Sequence, residues 1–286
     1  MKQSFTVKLA YKFLLSMVVS LSLAGCETTA NGSANVASSK EIRDGKVTDS
    51  SSVIPDSNDE SDERRRARIR LELAAGYYQQ GNYLTALSEL RQALTVDPNY
   101  AAAYGVLGLV YMDLNDRPKA DESFQRALKL SPRDANLNNN YGWYLCQTGR
   151  EQASLVYFNQ ALDDRLYSTP AKPLHNAGIC SLRMGDKINA EAYFRRAFQV
   201  DPSNPVAMYQ LAVLKMYSKE FDQARFYSKR LLDSFDQNPQ TLLLAVCVER
   251  SAGDRDAEAN FGSQLRRKFP GSSEATRLQS NDCKLQ

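Results

Sequence analysis

Pro98 and Pro132 stand 34 residues apart, and each closes an apolar run of helical spacing before another such run begins. No other feature restricts the fold as much. A unit of that length cannot bury its apolar face alone and must stack on copies of itself. Between the two prolines the side chains alternate in size in a set order: Tyr104, Leu107, Gly108, Tyr111, Ala120, Phe124, Ala127. The preceding stretch carries the same order as Leu73, Ala74, Tyr77, Gly81, Ala86, Leu90, Ala93 and Pro98. Small residues at Gly108, Ala120, Gly178 and Ala190 let two antiparallel helices approach closely, and large ones at Tyr111, Phe124 and Phe194 fill the space beside them. Proline stops the second helix, since it lacks the amide donor and clashes one turn back. Asp97, Ser131 and Asp201 before the prolines favour the turn.

Further copies follow. A third has Tyr141, Gly142, Leu145, Gly149, Phe158 and Ala161, with Leu166 where proline would stand. A fourth has Ala177, Gly178, Gly185, Ala190, Phe194, Ala197 and Pro202, and between these two the period lengthens to 36, from Ala135 to Ala171. A fifth keeps Leu211, Ala212 and Ala224. The sixth, with Ala245, Gly253, Ala257 and Phe261, is the most degenerate. This is the order of the tetratricopeptide (TPR) repeat. It predicts an all-α fold, a TPR superhelix (α-solenoid) of about six helix-turn-helix repeats over 63–270, with 271–286 as a C-terminal tail.

In such a repeat, positions 2, 5, 9, 12 and 13 of the first helix line the inner groove. Counted from Ala67, Ala101, Ala135, Ala171 and Pro205, they place Leu71, Tyr78, Leu109, Met112, Trp143, Ile179, Leu182 and Tyr209 in one stripe, continued by Val213 and Tyr217. Asn136, Asn139, Gln79 and Gln147 are interspersed. An apolar and aromatic stripe of this kind marks a surface for a polypeptide partner. A groove for charged peptide termini would show several cations, and only Lys172 and Arg183 qualify.

Ahead of the repeats, Lys2, Lys8 and Lys12 precede the apolar run Phe13 to Leu23, which ends at Ala24, Gly25 and Cys26. A basic start, a short apolar stretch and small residues at its end mark an export signal, 1–25. Leu23-Ala24-Gly25-Cys26 resembles the bacterial lipobox, which makes Cys26 the lipidation site. Glu27 beside it differs from the Asp that retains lipoproteins in the inner membrane, so the expected location is the outer membrane, lipid-anchored and facing the periplasm. Residues 26–62 are mostly small and polar with no period, and read as the lipidated cysteine and a flexible tether.

Lys plus Arg number 36 against 33 Asp plus Glu, too even for a nucleic-acid protein. A single histidine rules out a centre built on several, and neither a Walker A sequence nor a nucleophile elbow is present. The expectation is a non-enzyme with no metal, no cofactor and no small-molecule substrate. His175 reads as structural or groove-facing. Arg64, Arg65, Arg66, Arg68 and Arg70 read as a solvated helix start, with Glu60–Arg64 or Asp62–Arg66 pairs at i,i+4 spacing. Cys146 and Cys180 fall at neighbouring heights on the first helices of units three and four. A disulfide there would brace the lengthened junction, and two buried thiols are the alternative. A Cys247–Cys283 pairing is open.

The order of lipobox, polar tether and six TPR units resembles the PilF/PilW family of type IV pilus biogenesis lipoproteins. Its most specific segments are Asn138 to Cys146 with Gly149 and Arg150, Tyr167 to Pro170, and Asn176 to Cys180. The resemblance implies a pilotin that binds the type IV pilus secretin subunit, helps carry it to the outer membrane and promotes its multimer assembly. It also implies that Cys146 and Cys180 are paired, and that Leu71, Tyr78, Leu109, Met112 and Trp143 form the secretin contact. The alternative is a TPR lipoprotein adaptor of another envelope machine, such as cell-wall synthesis, which gene neighbourhood would discriminate.

Overall fold

The computed structural model describes residues 60–285. The expected signal peptide, Cys26 and most of the expected tether lie outside them. Among the described residues the chain forms thirteen α-helices and no strand. Six antiparallel pairs follow one another: α1 (Asp62–Gln79) with α2 (Tyr83–Val96), α3 (Ala101–Asp113) with α4 (Arg117–Leu130), and α5 (Ala135–Gln147) with α6 (Glu151–Leu162). Then come α7 (Ala171–Arg183) with α8 (Lys187–Val200), α9 (Pro205–Tyr217) with α10 (Phe221–Ser234), and α11 (Pro239–Ala252) with α12 (Arg255–Lys268). A short α13 (Ser273–Gln279) closes the array.

Within each pair the small residues do what their spacing requires. A Cβ on Gly108, Gly142 or Gly178 would sit 2.7, 2.8 and 2.6 Å from the ring of Phe124, Phe158 and Phe194 respectively. The three rings are fully buried. The helices therefore close onto a flat glycine surface that any larger residue would lift. Between the helices of each pair the chain passes through one left-handed residue: Gly81, Asn115, Gly149, Gly185, Lys219 and Gly253, with φ between 59° and 83°. Glycine takes that conformation without cost, so its recurrence in the sequence marks the turn. Asp116, Asp134 and Asp186 start the helices that follow them by accepting a hydrogen bond from the third helical amide.

The junction lengthened to 36 residues is filled locally. Tyr167 turns in between Ala135 and Ala161, and its hydroxyl donates to Asn136 Oδ1 at 3.2 Å. Leu166, which replaces the expected proline, points into solvent. The basic run pairs differently from the simple i,i+4 expectation. Arg64 reaches Asp97 at the end of α2, Arg65 meets Asp62, Arg66 meets Glu63, Arg68 meets Glu60 and Glu72, and Arg70 meets Glu89. Helical side chains lean toward the N-terminus, so Arg65, Arg66 and Arg68 reach back to Asp62, Glu63 and Glu60, and only the Arg68–Glu72 pair runs forward along the helix. The segment read as a tail also contains structure. Ala275 and Leu278 of α13 are buried in the terminal apolar cluster, and the chain beyond it is bonded back to α11. No helix among the described residues is long and apolar enough to cross a membrane.

Candidate protein-binding groove

The first helix of each pair carries the stripe. Leu71 and Tyr78 stand on α1, Leu109 and Met112 on α3, Trp143 on α5, Ile179 and Leu182 on α7, and Tyr209 on α9. All eight are half-buried. One side of each packs on the cluster of its own unit or junction: Leu71 and Tyr78 with Leu87 and Leu90, Leu109 and Met112 with Phe124 and Leu145, Trp143 with Phe158. The other side stays accessible. Such residues pack on the protein at one side while offering apolar area at the other, which suits an anchor for a partner.

Two expected members of the stripe are taken up by the protein's own contacts. Val213 is buried, and Tyr217, though exposed, engages the C-terminal segment through its hydroxyl. Asn139 is also buried. Its Oδ1 accepts from Asn176 Nδ2 at 2.9 Å, and its Nδ2 donates to Asn140 Oδ1. That amide pair ties α5 to α7 rather than facing a guest. A buried amide without a partner costs on the order of 1–3 kcal/mol, so the two asparagines hold each other in register.

Cys146 and Cys180 are joined, with Cα atoms 5.8 Å apart and both side chains fully buried beside Phe158 and Ala177. The bond crosses the same α5–α7 contact as the asparagine pair, at the lengthened junction. A second bond joins Cys247 and Cys283. Tyr141 and Tyr144 complete this region. Tyr144 donates to the Arg117 carbonyl at 2.7 Å and Tyr141 to Asp121 Oδ1 at 3.1 Å. Burial, with the Asp121 charge adding to it, pushes the Tyr141 hydroxyl up to about 12.

The groove cations divide. Arg183 lies 3.6 Å from Glu151. Lys172 has no hydrogen-bond acceptor or ion-pair partner among the described residues for its ammonium, and burial lowers its pKa. His175, one turn along, is pushed down to about 4, chiefly by burial and then by Lys172. Asn204 Oδ1 caps α9 by accepting from the Ala207 amide, so its Nδ2 donates to His175 Nδ1 at 3.1 Å. The ring is therefore neutral with its proton on Nε2, a link from α7 to α9 that no local sequence signal announces. Below the ordinary histidine value near 6.5 the unfolded chain binds this proton and the folded chain does not. Stability is then complete above pH ~6.5 and falls by on the order of 3 kcal/mol as pH drops through ~4. Because the chain has one histidine, an NMR titration of its ring reads this directly. The expected midpoint is near 4, and a midpoint near 6.5 would contradict the buried neutral ring.

No group of three or more His, Cys, Asp or Glu that could hold a metal ion occurs among the described residues. What the surface offers is apolar area and main-chain-sized polar contacts, the chemistry of polypeptide recognition.

Known proteins agree with this architecture. Tetratricopeptide-repeat family profiles match residues 76–115, 106–169 and 171–204. The type IV pilus assembly protein PilF of Pseudomonas aeruginosa is 33% identical over 219 residues, covering 77% of this chain and 86% of the relative. The crystal structure of PilW, a widely conserved type IV pilus biogenesis factor, superposes with a TM-score of 0.69 at 34% identity, over 74% of this chain and 98% of that one. The structure of Pseudomonas aeruginosa PilF gives 0.70 at 30% identity, over 78% and 100%.

Proposed function

This chain belongs to the PilF/PilW-type TPR proteins of type IV pilus biogenesis, and on that premise we propose that it is an outer-membrane lipoprotein scaffold that binds the pilus secretin subunit through its TPR groove. In this reading Cys26 carries the lipid, residues 27–62 span from membrane to repeats, and the protein promotes secretin localisation and multimer assembly. It acts without catalysis. The observation that supports it best is the run of half-buried apolar side chains Leu71, Tyr78, Leu109, Met112 and Trp143 on α1, α3 and α5. Burying such side chains is worth about 25 cal/mol per Å² before the costs of association, and aromatic anchors concentrate that gain.

The test is complementation of a strain lacking the protein. The wild-type chain should restore detergent-resistant secretin multimers at the outer membrane. Leu109→Asp with Trp143→Asp should restore few or none while keeping the helical spectrum of the wild type, since each places a charge where the partner's apolar surface would close. Cys26→Ser should leave the protein soluble in the periplasm. Normal multimers in the uncomplemented strain would rule the proposal out.

A further inference from the structure

The groove is not open along its whole length. Positions counted from Pro239 in α11 put Cys247 and Arg250 on the face that carries Trp143 in α5, and the chain beyond α13 turns back onto that face. Cys283 is bonded to Cys247, and Arg250 Nη1 lies 3.6 Å from its sulfur. On α9 the Tyr217 hydroxyl donates to the Cys283 carbonyl at 3.3 Å and accepts from the Leu285 amide at 3.2 Å. Leu285 is buried in the apolar cluster that also holds Val213, Met216, Leu243 and Cys247. Arg277 of α13 steadies the segment through the Lys284 carbonyl at 2.6 Å and the Asp282 carboxylate at 3.3 Å.

These are the contacts of a bound peptide. One hydroxyl reads a main-chain donor and acceptor, and an aliphatic side chain enters an apolar pocket. Capping the array does not require them, because Ala275 and Leu278 of α13 already lie in the terminal cluster. We propose that the groove of the fifth and sixth units is a second peptide-binding site, specific for a short segment with an aliphatic side chain two residues beyond the carbonyl that Tyr217 reads. Residues 281–285 of this same chain are its resident ligand. A tethered ligand already competes at an effective concentration on the order of millimolar, and the Cys247–Cys283 bond removes its dissociation altogether. In the bonded protein the tail fills the groove beside Tyr217 and Cys247, and a partner polypeptide is confined to the stretch before it. The inference holds whichever partner enters there, so its test leaves the secretin reading untouched.

The probe is the chain's own C-terminus: a fluorescent peptide of residues 280–286 with Cys283→Ser. The receptor is a variant stopped after Ser280 that carries Cys247→Ser. Anisotropy should show saturable binding, weakened at least roughly tenfold by Leu285→Asp in the peptide, and none to the intact disulfide-bonded protein. A truncated receptor with wild-type helicity that does not bind the peptide overturns the proposal. Should truncation unfold the last unit, the full chain with Cys247→Ser and Cys283→Ser replaces it. There the tail competes in cis, and adding Leu285→Asp to that chain should raise affinity for the peptide by roughly tenfold or more. An unchanged affinity overturns the proposal equally.

Discussion

Phe194→Ala is expected to lower the unfolding free energy by about 3–5 kcal/mol, the cost of deleting a fully buried ring from a site that cannot collapse. The ring lies against the bare backbone of Gly178, where a Cβ would come within 2.6 Å of its edge. Backbone cannot move into the vacated space without unstacking α7 from α8, so the cavity persists. The converse change, Gly178→Val, overpacks the same contact and should cost about 1–3 kcal/mol or more. Combined with Phe194→Ala, however, the valine enters the space the ring has left. The double variant should then be more stable than the sum of the two single costs allows, by about 1–3 kcal/mol of coupling. Urea unfolding followed by circular dichroism and by the fluorescence of the single tryptophan, Trp143 in α5, would measure the cycle. Coincident transitions would also show that the units unfold together, as two-state analysis requires. Strict additivity would mean that the glycine and the ring do not share one space.

Replacing both Cys146 and Cys180 by alanine should cost about 3–4 kcal/mol, from the chain entropy released when a loop of this length is opened in the unfolded state. The cysteines are 34 residues apart in sequence. For a domain of this size that corresponds to a fall of about 10 °C in Tm. Serine in place of alanine should cost about 1–3 kcal/mol more per site, because both side chains are fully buried and a hydroxyl there must find a partner. Calorimetry of the alanine and serine pairs separates the two effects. A Tm within about 2 °C of the wild type for the alanine pair would show that the unfolded chain gains nothing from opening the loop. The Asn139–Asn176 pair crosses the same contact, so the α5–α7 register should survive even where stability falls.

The fold and the groove differ in how far the sequence discloses them. Gly108 and Gly178 with Phe124 and Phe194 were readable as close-packing partners, because each pair lies within one unit, 16 residues apart. The stripe from Leu71 to Tyr209 followed from the same count, since helical period dictates which side chains share a face. Position on a face is not accessibility, however. Val213 obeys the count and is nonetheless buried, in an apolar cluster that also holds a residue far along the chain, Leu285. Asn139 obeys it too, yet faces Asn176 across 37 residues. His175 gave no local signal of its bond to Asn204, and the segment after Pro270 showed too little period to reveal α13.

Sequence alone therefore settles that this chain is a stack of helix pairs, for a physical reason: the contacts that make each pair fall within one repeat and recur, with variations, along the chain. Which stretch of the groove is free to receive another polypeptide was decided only in three dimensions. It depends on a contact between Tyr217 and Leu285, 68 residues apart, made once among the described residues and so invisible to any repeat.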